Sequence, residues 1–187
     1  MLSEHCLLFF RIFVDRTATK PMNAKKPITI EAALHRAAAL CSRGEQAPAD
    51  VHDKLMRWGL NAADAHQVVT RLRTENFLSD ERFAVAFVRD KFRFNGWGRI
   101  KIAFMLRQKQ LPAAVIDDAL QQIDAEEYRT TLDRLLQSRV RSLAGRPDEA
   151  ARASLLRFAA GRGFEPAVFY PAVDCALRQA GYGQSEE

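Results

Sequence analysis

Cysteine, histidine and tryptophan are scarce in this chain, numbering 3, 4 and 2 in 187 residues, and each scarcity removes a class of function. Cys6, Cys41 and Cys175 are far apart, with no Cys-x-x-Cys pair and no neighbouring histidines. That excludes a disulfide framework and offers no zinc site, so three reduced thiols in a cytoplasm is the plain reading. His35, His52 and His66 fall on separate segments without carboxylate company and read as surface or satisfied groups. No G-x-x-x-x-G-K-[ST] phosphate loop occurs, Gly96-x-Gly98 lacks the third glycine and the preceding strand of a dinucleotide site, and no serine sits in a nucleophile elbow. Asp117-Asp118 and Glu126-Glu127 are adjacent pairs, which on a helix point in different directions. The sequence therefore predicts a protein that is not an enzyme and holds no cofactor or metal.

A bilayer-spanning segment is also missing. The opening run MLSEHCLLFFRIFV has an acid, Glu4, on its flank where a signal sequence carries bases, and Arg11 interrupts it. It is too short to span a membrane. Residues 1–27 read as a weakly ordered extension, and Met22 makes a sensible start because helical patterning begins only after Pro27.

What is present is an apolar fraction of 48%, enough for one core or a short array of small modules. The formal charge of +5 is unevenly placed: residues 28–78 balance six Lys/Arg against six Asp/Glu, while 79–123 carry eight against five. A local cationic field suits a polyanion or an acidic protein surface.

From Ile28 onward apolar residues recur at three- and four-residue intervals, and no convincing strand region competes. Pro48, Pro112, Pro147 and Pro166 fall at helix starts, Asn61, Ser79 and Asp124 read as N-caps, and Gly44, Gly59, Gly145 and Gly163 mark ends. The chain also repeats itself. Under a shift of 51 residues Ala33–Leu72 lies without gaps on Ala84–Ile123, pairing Val51 with Ile102, Leu55 with Leu106, Leu60 with Leu111 and Leu72 with Ile123. A looser third copy runs from Tyr128 to Leu177, with Arg162-Gly163-Phe164 on Trp58-Gly59-Leu60. The expected fold is all-α: three tandem three-helix modules, 28–78, 79–123 and 124–187 with a short C-terminal tail, stacked into an elongated, curved array.

The stretch DKFRFNGWGRIKIAFMLRQK, Asp90 to Lys109, concentrates the cations. Asn95-Gly96 between alternating residues is a strong hairpin signal. It falls, however, on Gly44-Glu45 of the first copy, where nothing resembles a strand, so two helices meeting at a glycine turn is the better reading. Arg89, Lys91, Arg93, Arg99, Lys101, Arg107 and Lys109 align with Ala38, Leu40, Ser42, Pro48, Asp50, Met56 and Trp58, none of them basic. The first copy shares the fold without these charges, so the expectation is that the fold does not require them and that the middle module uses them to bind. On a helix starting near Gly98, Ile102, Ala103 and Leu106 share the core side, while Ile100, Lys101, Phe104 and Arg107 face away. An apolar residue bordered by cations suits a binding face; packing against a neighbouring module, with the cations merely solvated, is the alternative. Trp97 is either a plug at the bend or a stacking platform for a base.

The run Asp80 to Leu111 resembles the central module of the RecX family of regulatory proteins: an acidic helix start, an Arg-rich helix, then G-x-G-x-x-[basic]-I-x-x-x-L-x-x-K, here Gly96, Gly98, Lys101, Ile102, Leu106 and Lys109. Gln110 stands where that family usually has glycine. The resemblance implies a monomeric protein of the cytoplasm, with no membrane partner, that binds the RecA recombinase filament on single-stranded DNA in its helical groove. It implies limits on filament extension, recombination, ATP hydrolysis and coprotease activity. The family motif points to Arg89, Arg93, Lys101 and Lys109; the face argument adds Arg99, Phe104 and Arg107, and Lys91 and Trp97 complete the candidate set. A free-standing DNA-binding protein of helix-turn-helix-like modules is the rival, although cations spread over two helices suit backbone contact better than base reading.

Overall fold

Nine helices and no strand are found among the described residues, 28–183, of the computed structural model. The expected N-terminal extension and the Met22 start lie outside them. The helices are α1 (Ile30–Cys41), α2 (Pro48–Arg57), α3 (Ala62–Thr74), α4 (Asp80–Arg93), α5 (Arg99–Gln108), α6 (Ala113–Gln121), α7 (Ala125–Arg141), α8 (Asp148–Arg162) and α9 (Pro166–Gln179). None is long and apolar enough to cross a membrane.

Local chemistry sets these boundaries. The side chains of Thr29, Asn61, Ser79 and Asp124 accept hydrogen bonds from the first free N–H groups of α1, α3, α4 and α7. Each such cap stabilises its helix by about 1 kcal/mol. Pro48 and Pro166 occupy the first helical position of α2 and α9, where a missing N–H costs nothing, and Pro112 and Pro147 immediately precede α6 and α8. The Ser79 hydroxyl also donates to Glu81, and chiefly this bond holds that carboxyl below its ordinary range.

The repeated skeleton is the core. Val51 and Ile102, Leu55 and Leu106, Leu60 and Leu111, and Leu72 and Ile123 are all buried. The copies also agree in backbone. The chain turns left-handed after α2, α5 and α8, at Gly59 (φ 106°), Gln110 (φ 61°) and Gly163 (φ 83°). Two of the three positions use the residue suited to that conformation, and Gln110 adopts it without that freedom.

Close helix packing is within triplets: α1–α3, α4–α6 and α7–α9. The apolar interior is divided differently. The first triplet closes a core of its own around Leu34, Val51, Leu55 and Leu72, with Ile28, Ile30 and Trp58 covering it. The second and third triplets share one core, in which the rings of Phe92, Tyr128 and Phe164 follow one another at centroid distances of 5.8 and 5.0 Å. The first triplet therefore does not need the apolar stacking that the sequence suggests for every copy. Its joint to the second is polar. Arg82 donates to the Glu45 carboxylate (2.7 Å), the Asn76 side chain (2.6 Å) and the Asn76 carbonyl (2.9 Å), Lys109 pairs with Asp50 (2.7 Å), and Arg73 pairs with Asp80 (2.9 Å).

Candidate partner interface

The bend at Asn95-Gly96 is a turn between helices, as the repeat predicts. Gly96 is left-handed (φ 60°), and the N–H groups of Gly96 and Trp97 return to the carbonyls of Phe92 and Lys91. The chain then enters α5 through Gly98, whose φ of −80° and ψ of 167° any residue can adopt. Glycine is needed there for space alone. A Cβ on Gly98 would lie 2.2 Å from the Gly163 carbonyl oxygen and 2.4 Å from the Phe164 nitrogen.

That close approach joins two helices end to end. The N–H of Gly98 donates to the Arg162 carbonyl (2.8 Å) and the N–H of Ile100 to the Gly163 carbonyl (3.0 Å). The first N–H groups of α5 and the last carbonyls of α8 are the groups that a helix cannot satisfy internally, and here they satisfy each other, the positive end of one dipole meeting the negative end of the other. The Gly-x-Gly of the basic stretch thus seats one triplet on the next.

Around this seam the structure sorts the nine candidate residues. Arg99 lies across it: its guanidinium stacks over the Tyr128 ring at 4.1 Å and donates to the Ile123 carbonyl (3.2 Å), and its backbone N–H donates to the Tyr128 hydroxyl (3.0 Å). Tyr128 in turn donates to Glu165, and burial, followed by that carboxylate, pushes its phenol far above the ordinary range. The Lys101 ammonium reaches the Gly161 carbonyl (3.3 Å) and sits 4.7 Å from the centre of the Trp97 ring, which also carries Lys91 at 5.4 Å. Trp97 itself is half-buried against the shared core. Lys109 bridges to Asp50 of the first triplet, and Arg93 stands 3.4 Å from Glu127.

The expectation that the fold has no use for these charges is therefore corrected for Arg99, Lys101 and Lys109. Each reaches into another triplet, at Tyr128, Gly161 and Asp50, 29 to 60 residues away, and a comparison between copies within one chain does not register contacts that link the copies.

Facing outward are Phe104, 54% exposed, with Ile100 at 52% one helical turn before it and Arg107 three positions after it. Ile102, Ala103 and Leu106 on the opposite side are buried, as expected. On α4, Arg89 is exposed and, among the described residues, pairs with its neighbour Asp90 at 3.4 Å. One residue escapes the sequence reading: Phe94, at 82% the most exposed large apolar side chain of the described residues. It aligns with the exposed, polar Arg43 of the first copy, so the comparison of copies already contained its signal. The face combines bare apolar surface with cations on a backbone fixed by the α8–α5 seam. It can bury a partner's apolar side chains and pair with acids, and it offers no group for bond-making chemistry. No cluster of potential metal ligands occurs among the described residues.

Comparison with known proteins agrees with this architecture. Residues 79–120 match the family model described as RecX, second three-helix domain. The chain is 33% identical over 93 residues to the regulatory protein RecX of Prosthecochloris aestuarii, an alignment covering 50% of this chain and 62% of that one. With its counterpart from Chlorobaculum tepidum the identity is 29%, covering 71% and 81%, and with that of Streptomyces lividans 26%, covering 89% and 91%. The chain thus spans about three-fifths of the first of these relatives and most of the other two. Among solved structures, a regulatory protein RecX superposes with a TM-score of 0.69 at 21% identity, covering 78% of this chain and 73% of that one. RecX from Lactobacillus salivarius gives 0.68 at 16%, covering 81% and 96%. These two similarities speak to the fold.

Proposed function

Because the chain belongs to the RecX family of regulatory proteins, we propose that it binds the RecA recombinase filament on single-stranded DNA and restrains its recombination, ATP hydrolysis and coprotease activities. It acts as a monomer in the cytoplasm, without catalysis of its own, and docks through the outward side of the middle triplet. The observation that carries this reading is the pairing of exposed Ile100 and Phe104 with Arg107 on α5, next to cations already committed to holding the triplets together. Bare aromatic and aliphatic surface bordered by arginine is the composition of a protein interface core. A purely electrostatic DNA contact would have no use for it.

The test is the double variant Phe104→Asp, Arg107→Glu, assayed for inhibition of recombinase ATP hydrolysis on single-stranded DNA. Both side chains are exposed, so the variant should unfold within about 0.5 kcal/mol of the parent. Its half-inhibitory concentration should rise at least tenfold. An unchanged inhibition curve would refute the assignment of the face. Tight binding to bare duplex at physiological salt, with no gain from the filament and a log–log salt slope of roughly −4 to −5, would establish the free-standing DNA-binding alternative instead.

A further inference from the structure

A second feature of the middle triplet lies off the α5 face, between α4 and α6. Val85, Val88 and Phe92 from α4 and Ala119 from α6, with Ile123 beyond it, line a hollow of about 190 Å³, and Arg89, Arg93, Gln122 and Glu127 surround its mouth. The comparison of copies explains its origin. Under the 51-residue shift Val85 stands where the first triplet has Leu34, and Ala119 where it has Val68, both of them buried. Two side chains that complete the first core are shortened in the second, and Phe92, in place of Cys41, closes the floor from within. At the same rim Ala38 and Ser42 are exchanged for Arg89 and Arg93. The hollow and its cations are thus additions of the same copy.

We propose that this hollow takes one branched aliphatic side chain of an acidic peptide segment of a protein partner, whose flanking carboxylates pair with Arg89 and Arg93. Small-molecule sites occupy about 300–1,000 Å³, so the space here suits a single side chain. Its walls are aliphatic, and the one ring, Phe92, is only 3% exposed, so a nucleobase finds no face to stack on. At the mouth Arg89 and Arg93 make solvent-exposed contacts of 3.4 Å with Asp90 and Glu127, weak pairs that a partner's carboxylates can replace. Burying an apolar anchor inside a ring of charge-assisted hydrogen bonds is the usual division of labour in peptide recognition. The assignment concerns α4 and α6 and does not depend on the recombinase.

The experiment is methyl NMR on the full chain, titrated with the blocked peptide Glu-Glu-Leu-Glu-Glu. Saturable shifts are expected at the methyls of Val85, Val88 and Ile123. Replacing the peptide's leucine by serine, or the protein's arginines by Arg89→Glu with Arg93→Glu, should weaken binding at least tenfold. The equal charge change Arg141→Glu with Arg178→Glu, at exposed positions of the last triplet, should leave it within twofold. Val85→Leu with Ala119→Val restores the first triplet's residues, fills the hollow without removing charge, and should also weaken binding tenfold. Absence of shifts at the three residues, undiminished binding by the filled variant, or equal shifts from an oligothymidylate would each overturn the proposal, the last in favour of nucleic acid.

Discussion

Replacing Gly98 by alanine tests the end-to-end seam most directly. Because Gly98 has an ordinary backbone conformation, alanine brings no torsional penalty at that position. The entire effect comes from one methyl group placed 2.2 Å from the Gly163 carbonyl oxygen, against the Gly163–Phe164 peptide group. No flexible side chain is present to move aside, so α5 and α8 must separate. Two hydrogen bonds, Gly98 to Arg162 and Ile100 to Gly163, are then lost, at about 1 kcal/mol each. Displacement in the shared core adds about 1–3 kcal/mol, as other overpacking changes do. Gly98→Ala should therefore destabilise the chain by about 3–5 kcal/mol, read from the midpoint of urea unfolding followed by circular dichroism. Gly161→Ala is the control: it lies within α8 with open space around it, and should instead stabilise by about 0.5–1 kcal/mol. A Gly98→Ala midpoint within experimental error of the parent would refute the steric account of the seam.

Tyr128→Phe removes the hydroxyl that accepts from the Arg99 N–H and donates to Glu165, at an expected cost of about 1–3 kcal/mol near neutral pH. The folded state holds that phenolic proton more tightly than the unfolded chain does, so its contribution is present below the ordinary tyrosine value of about 10 and declines as pH rises beyond it. Urea midpoints on either side of that value should fall more steeply for the parent than for the variant, and parallel curves would contradict the linkage. Gln110→Gly replaces a left-handed non-glycine residue by the one its two counterparts use. It should raise stability by about 0.5–1 kcal/mol, and a loss would show that the Gln110 side chain contributes more than its conformation costs.

The helices and their core were legible because the chain states them twice. Val51 and Ile102 report the same burial from independent positions, and the copy without strand character decided the Asn95-Gly96 bend. The caps at Asn61, Ser79 and Asp124 were equally plain, since each is a local interaction over two or three residues. Relations between copies were not legible. Arg99, Lys101 and Lys109 look like surplus charge within their own module because their partners, Tyr128, Gly161 and Asp50, belong elsewhere in the chain. The merging of the second and third cores is hidden for the same reason. Of the outward residues, Phe104 and Arg107 followed from helical phase. Phe94 required a comparison at a turn, where phase gives no guidance.

The α8–α5 seam also bears on how the protein is made. A ribosome delivers the chain from its amino end at about 5–20 residues per second, and the first triplet, with its closed core, can fold as soon as it emerges. The middle triplet cannot finish on that schedule. The carbonyls that satisfy the start of α5 belong to Arg162 and Gly163, and half of its core belongs to α7–α9. For several seconds of synthesis, the segment bearing the candidate binding cations is therefore nascent and incompletely folded, with its apolar side open to chaperones.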